Sequence, residues 1–415
     1  MESVEFSTNK IWQNWQVSHD NKAIEGFFHR GWQTHPPEFS EQALDENQFL
    51  AVRQWADSLQ DKGVETLLVA GIGGSALGAK AVRGLQNRYS PKLFFWEGTH
   101  PQELHYIGKL AEQKKTALLW VSKSGTTLET RTNLALFRQF FPEVEEYFVT
   151  SYPESVVEMG GKKENTFIIP QTLPARFSVM SYPGIMPGLF LGADMDSFLN
   201  GFRDGVLEWD ISSPLASNNA KQIALQYYQL FLSNFQGVVF WIYSREMRGM
   251  AEWLVHLWAE SLGKQPSNTL LPVLCRGPED QHSLLQYMLD GPNNMVHTFL
   301  HTRTYGINDT VVPNSYSVYS GNKSLWEVLH AQKLSTEIAL TERNRPVADF
   351  EVPELNHYQL GRMMCFWMHT VTYLGYLYEI DPFSQPAAEV VKMHSRRVLS
   401  LGDKVENPLA HRVTL

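Results

Sequence analysis

Short apolar runs separated by stretches of helical period dominate the first half of the chain: "TLLVAG", "KLFFWE", "TALLWVS", "EEYFVTS" and "TFIIP". Runs that do not alternate with polar residues read as strands buried on both faces, and strands separated by helices join in parallel through crossovers. The pattern therefore predicts a doubly wound parallel sheet in an α/β fold. It restarts after "EWDISSPLASNN", where Pro214 sits among serines and asparagines and marks a boundary. A helix ending near Gly237, the run "VVFWIYS", a helix from Gly249 to Gly263, "TLLPVLC", a helix from Asp280 and "MVHTFL" follow, giving a second α/β unit. A long helical stretch runs from Leu355 to about Ile380, where "DPFSQP" stops it, and a short helical tail closes the chain. At the other end, a helical period runs from Glu41 to Gly63. The first forty or so residues, rich in Trp, Phe, His and Asn without a clean period, read as an arm packed onto something else. The expected organisation is an N-terminal arm over residues 1–47, a first unit over 48–213, a second over 214–384 and a helical tail over 385–415.

Charge and cysteine usage narrow the function. A net charge of −9 over 415 residues speaks against a nucleic-acid surface, which needs clustered Lys and Arg. The start, "MESVEFSTNKIWQNWQ", lacks the basic end and apolar core of a signal peptide, and no apolar run approaches membrane-spanning length. A cytoplasmic protein without a membrane partner is the expectation. Cys275 and Cys365 stand in apolar settings that suit buried thiols rather than a disulfide. The fourteen histidines show no metal-ligand spacing, so no metal is expected.

Two strand-to-helix turns have the composition of anion cradles. In "GIGGSALG", Gly71, Gly73 and Ala76 have the spacing of a dinucleotide fingerprint, and Glu97 ends the next strand about where a ribose-binding acid sits in such folds. Ser75, however, adds a hydroxyl beside a helix N-terminus. "VSKSGTTLET" places Ser122, Ser124, Thr126 and Thr127 around Gly125 as another strand becomes a helix. Hydroxyls together with unpaired N–H groups suit a phosphate monoester, and a dehydrogenase gives no reason for the second turn. A tight turn with an N-cap is the plainer reading of either loop alone.

Further along, Glu260 in "GMAEWLVHLWAESLGK" projects from an apolar stripe that should be buried, three residues after Leu257. A buried carboxylate is either a proton acceptor or paired, here with Lys264 one turn on. His282 in "RGPEDQHSLLQ" is placed in a helix's first turn, where a neutral imidazole can shuttle protons, although capping by Asp280 explains the same residues. Arg176, in a loop between apolar segments, suits a developing oxyanion. Lys392, on the tail's apolar face, suits a sugar oxygen or simply snorkels to solvent.

In order, "GIGGSALG", "SKSGTTLET", "ARFSVMS", "AESLGK", "DQHSLLQ" and "PFSQPAAEVVK" resemble the motifs of the glucose-6-phosphate isomerase family, over a span from Gly71 to Lys392. The resemblance implies two sugar isomerase (SIS) domains of flavodoxin-like α-β-α sandwich form, a homodimer with composite sites and a role in glycolysis and gluconeogenesis. It also implies interconversion of glucose 6-phosphate and fructose 6-phosphate without a cofactor. Position by position, Gly74, Ser75, Ser122, Lys123, Ser124 and Thr127 would hold the phosphate. His282, from the partner subunit and oriented by Glu129, would assist ring opening with Lys392. Glu260 would carry the C2 proton to C1, Arg176 would stabilise the cis-enediolate, and Gln385 would contact the sugar. Departures from the family pattern are Ser384 and Ala387 for the usual Asp and Gly, "PAR" for "GGR", and His256 where a glutamine often contacts substrate. A non-catalytic SIS-type module that binds a sugar phosphate would need the two cradles but not Glu260, Arg176 or Lys392. Acceptance of other aldose phosphates, such as mannose 6-phosphate, depends on the walls around C2.

Overall fold

A computed structural model describes residues 5–14, 20–85, 91–113, 115–264, 269–304, 309–314 and 319–401. Its strands, in chain order, are β1 (Glu5–Thr8), β2 (Thr66–Ala70), β3 (Lys92–Trp96), β4 (Thr116–Val121), β5 (Glu145–Thr150), β6 (Thr166–Ile168), β7 (Gly237–Ile242), β8 (Leu271–Arg276), β9 (Met295–Thr304) and β10 (Val347–Glu354). The first sheet has the order β3-β2-β4-β5-β6 and is parallel throughout. This is the flavodoxin-like order, in which the chain reverses direction across the sheet between its first and third strands. Here those strands are β2 and β4, and the loops after them are the two glycine–hydroxyl turns.

The second sheet has the order β1-β10-β9-β7-β8. Strands β7 to β10 repeat the parallel winding, and β1 pairs antiparallel with β10 at the edge. The arm thus supplies a strand in addition to its helices. Neither β1 nor β10 is among the strands that the sequence pattern predicts. The helix anticipated from Asp280 is a short 3-10 turn, Glu279–His282, followed by the helix Leu285–Asp290.

Burial follows the strand period. Leu67, Val69, Leu119 and Val121 of the first sheet share one continuous core with Val238, Phe240, Ile242 and Leu300 of the second. Their neighbours in sequence, such as Leu68, Leu118 and Trp120, or Val239, Trp241 and Phe299, face separate outer clusters. Each sheet is therefore covered on both sides, which explains why its strands read as unbroken apolar runs. The helix His357–Leu377 is buried nearly throughout and crosses Met195–Glu208 closely. A Cβ at Gly201 would fall 2.0 Å from the Tyr358 carbonyl oxygen, and one at Gly361 2.1 Å from that of Phe198. The segment around Pro214 is fastened by the buried Lys221, whose ammonium meets Glu25 of the arm at 2.9 Å and the carbonyls of Ile211 and Ser213.

What positions the site is an antiparallel pair of helices, Gly74–Arg83 after β2 and Arg248–Leu262 after β7. At one end, a Cβ on Gly249 would lie 2.3 Å from the Lys80 carbonyl oxygen. Seven residues on from Gly249 and seven back from Lys80, His256 lies against Gly73. Two turns of each helix thus bring the last turn of one beside the first turn of the other. Gly249→Ala must push backbone apart and is expected to destabilise the chain by about 1–3 kcal/mol. Chemical denaturation will read this as a lower midpoint, and an unchanged midpoint contradicts the packing.

Candidate active site

The two cradles lie side by side at the reversal point of the first sheet. Gly73 has φ +59° at the start of its helix, and a Cβ on Gly74 would meet the backbone of Ala175 and Arg176 at 2.5 Å. Only glycine admits that left-handed turn and that close approach together. Ser75 is nearly buried in the first turn. After β4, the Ser122 hydroxyl stands 2.9 Å from that of Thr127, and Thr126 donates its N–H to Ser124 Oγ. Gly125 has φ +66°, and a Cβ there would strike Ser155 Oγ at 2.0 Å. Neither helix start carries a side-chain cap: Gly73 has none to offer, and the Thr127 hydroxyl turns to Ser122 instead. The N-cap reading of these turns therefore does not describe either one, and both positive helix ends face one cleft. Lys123 joins them. Burial, and then the charge of Arg176, lower its ammonium below the usual lysine value.

The cleft has a volume of about 410 Å³ and brings Gly74, Ser75, Lys123, Ser124 and Thr127 together with His256, Glu260, Gln385, Glu389 and Lys392. Glu260 stands in the last turn of its helix. Its side chain is 29% exposed, not buried as the stripe of Trp253 and Leu257 suggests, because the stripe runs out of core where the cleft opens. It does not pair with Lys264, which bonds instead to the carbonyls of Asp381 and Ser384 and to Ser384 Oγ. The partner of Glu260 is Arg176, whose Nη1 lies 3.1 Å from Oε2.

Arg176 sits in a one-turn 3-10 segment, Ala175–Phe177, of the loop between apolar segments, and is fully buried. All of its N–H groups are engaged. Nε donates to Ser261 Oγ (2.7 Å), Nη1 to Glu260 and Gln385 Oε1 (2.9 Å), and Nη2 to the carbonyls of Pro382 (2.7 Å) and Ser384 (3.1 Å). Its own carbonyl accepts from Trp253 Nε1 at 2.9 Å. Burial lowers its ordinary value while Glu260 and Asp381 oppose the shift, and the guanidinium remains a cation. Lys392 lines the cleft and meets Glu389 at 2.6 Å.

Four expected residues do not line this cleft: His282, Glu129, Ser122 and the fully buried Arg176. His282 ends its 3-10 turn, not the first turn of a helix, and is exposed. Asp280 is no helix cap: it accepts from Arg276 N–H and the Ser283 hydroxyl. Glu129, half-buried, stands in the first turn after Thr127. Ser122 is buried behind the cradle. Glu97 pairs with Lys80 at 2.5 Å. Cys275 and Cys365 are free and buried. Among the described residues no group of His, Cys, Asp and Glu could hold a metal ion. Sequence reasoning missed Ser261, Gln171, Tyr152, Glu389 and the carbonyls of Pro382 and Ser384. Only the adjacency of Ser261 to Glu260 gave any signal.

A profile of the phosphoglucose isomerase family matches residues 45–274, which hold both cradles, Arg176 and Glu260. A probable glucose-6-phosphate isomerase of Methanococcus maripaludis is 30% identical over 359 residues, covering 83% of this chain and 81% of the relative. The chain belongs to the phosphoglucose isomerase family. A glucose-6-phosphate isomerase of Thermus thermophilus is likewise 30% identical, over 81% of this chain and 84% of its own. Among solved structures, a hypothetical protein of Thermus thermophilus superposes with a TM-score of 0.83 at 25% identity, over 95% of this chain and all of that one. A glucose-6-phosphate isomerase of Chlamydia trachomatis shares the fold, with a TM-score of 0.72 at 21% identity, over 95% of this chain and 78% of its own. The family profile stops before the loop at 381–385, which in this chain is bound by Arg176 and Lys264.

Burial, and then the charge of Arg176, hold Lys264 down to about 8 against an ordinary 10.5. Above about pH 8 the folded chain therefore releases this proton before the unfolded chain does, and the contribution of Lys264 to stability rises with pH up to about 10.5. Urea midpoints of the parent relative to Lys264→Gln are expected to shift in the parent's favour across that window. A pH-independent difference contradicts it.

Proposed function

We propose that this chain interconverts D-glucose 6-phosphate and D-fructose 6-phosphate. The observation that carries this reading is the meeting, in one cleft, of two open helix N-termini with a carboxylate bound to a buried guanidinium. The helix ends, with Ser75, Ser122, Ser124, Thr127 and the Lys123 N–H, take the phosphate and fix the sugar's far end. That leaves C1 and C2 at the side of the cleft formed by Glu260.

The C2 proton is acidic only once C1 is an aldehyde, so the ring opens first. Lys392 and a histidine supply that acid–base step, and the histidine is His282 of the partner subunit, oriented by Glu129. The exposure of His282 outside its own chain's cleft supports a homodimer with composite sites. Glu260 then removes the proton from C2 and returns it to C1, while the hydroxyl proton passes from O2 to O1 across the cis-enediolate. The negative charge that develops on the enediolate oxygens is met by Arg176, whose Nη1 exchanges its bond to Gln385 for one to the intermediate. Gln385, released, contacts the sugar. A module that only binds sugar phosphate has no use for Glu260, Arg176 and Lys392 around one cleft. Among the described residues no helix is long and apolar enough to cross a membrane; a cytoplasmic setting is part of this proposal.

In a coupled assay with fructose 6-phosphate, Glu260→Gln is expected to lower kcat by about 10³-fold or more while binding of the sugar phosphate persists. Normal turnover sinks the assignment of the base. EDTA should leave the parent's rate unchanged, and loss of activity on chelation would contradict a metal-free reaction. Gly125→Ala, strained at positive φ and clashing with Ser155, should raise KM about tenfold with a smaller effect on kcat. An unchanged KM would remove this turn from the phosphate site.

A further inference from the structure

We propose that His256 is a positioning residue for Glu260, one that holds a single carboxylate oxygen, leaves the other for proton transfer and sets the acid limb of turnover. This deepens the isomerase reading and rests on it. His256 precedes Glu260 by one helical turn, so the two side chains are stacked on one face. Nε2 lies 3.4 Å from Glu260 Oε2, the same oxygen that Arg176 Nη1 reaches at 3.1 Å. Among the described residues nothing bonds Oε1. Arg176 bonds this oxygen and the imidazole stands against it, so the carboxylate is held through Oε2, and Oε1 is the oxygen left for the cleft that Glu260 lines.

The ring is itself held. Its Cε1 would lie 3.3 Å from a Cβ at Gly73, so the imidazole is wedged between the phosphate loop and its own helix. Nε2 is buried and makes no hydrogen bond of good geometry. Its approach to Glu260 is close and oblique, a type of contact that tightens when substrate closes a site. His256 therefore links the loop that grips the phosphate to the group that moves the proton.

The charged groups facing the ring are Glu260 on its own helix and Arg176 from the turn at 175–177. The glycine loop adds no charge, and Lys123, Glu389 and Lys392 line the rest of the cleft. Burial and Arg176 lower the imidazole below its ordinary value while Glu260 opposes them, so the ring is neutral at pH 7, and in this proposal its Nε2–H turns onto Oε2 when substrate closes the site. On acidification it becomes a second cation against that oxygen. The carboxylate is then a weaker base and turnover falls. His256 neither takes nor gives the substrate's proton.

The test is kcat and KM for fructose 6-phosphate from about pH 5 to 8 in the parent, His256→Gln and His256→Phe, with thermal unfolding of each. Phe removes the donor, and kcat should fall about 10- to 100-fold with KM changed by less than about threefold. Gln donates without titrating. It should recover most of the lost kcat and extend activity to lower pH by about half a unit or more. A Gln variant with the parent's acid limb overturns the proposal, as does a Phe variant with the parent's kcat. If the Phe variant fails to fold, the Gln profile alone decides. A parent without isomerase activity would instead overturn the functional reading, so the two failures are distinguishable.

Discussion

The guanidinium of Arg176 is the constraint on which the site depends. A buried cation costs several kcal/mol unless every donor finds a partner, and the partners of this one come from three parts of the chain. Ser261 and Glu260 belong to the helix after β7, Pro382 and Ser384 to the loop beyond the long buried helix, and Gln385 to the start of the tail helix. Arg176 itself stands on the first unit's side, in a turn against Gly74. Satisfying one charge therefore fixes Glu260, the loop at 381–385 and the glycine turn at 73–75 relative to one another. Lys264 repeats the device more weakly by bonding to Asp381 and Ser384.

The helix pair makes this possible. At one end of the contact Gly249 lets Gly74–Arg83 and Arg248–Leu262 pack backbone against backbone, and at the other Gly73 makes room for the His256 ring. The uncapped N-terminus of one then meets the C-terminus of the other, which carries Glu260. Such a junction joins two similar α/β units through the elements that follow their first strands. The two five-stranded sheets differ mainly in that the arm's β1 takes, in antiparallel sense, the edge place that β6 fills in the first.

What was legible in the sequence follows from what is buried. β2, β4, β5 and β7 are covered on both faces, so their runs are apolar throughout and stand out. β10 was illegible because Asp349 and Glu351 interrupt it. Those carboxylates are tolerated by partners from elsewhere, Lys333 at 2.9 Å from Asp349 and Arg303 at 2.7 Å from Glu351. β1 is four residues at a sheet edge, too short to show a period. That the two glycine–hydroxyl turns and Glu260 gather at one cleft was legible in residue type, since glycine turns beside hydroxyls and a carboxylate on an apolar stripe stand out in the sequence. The exposure of Glu260, the turn of its partner from Lys264 to Arg176, and the carbonyls that hold Arg176 were not, since main-chain acceptors leave no trace in composition.

Hydrogen–deuterium exchange over residues 379–392, comparing the parent with Arg176→Lys, tests this account most directly. Lysine keeps the charge but cannot supply the planar set of donors. The account predicts that this segment exchanges about tenfold faster or more in the variant while β2 and β7 keep their protection. Unchanged exchange at 379–392 would contradict it, because the loop and the tail's first turn would then be held by something other than Arg176.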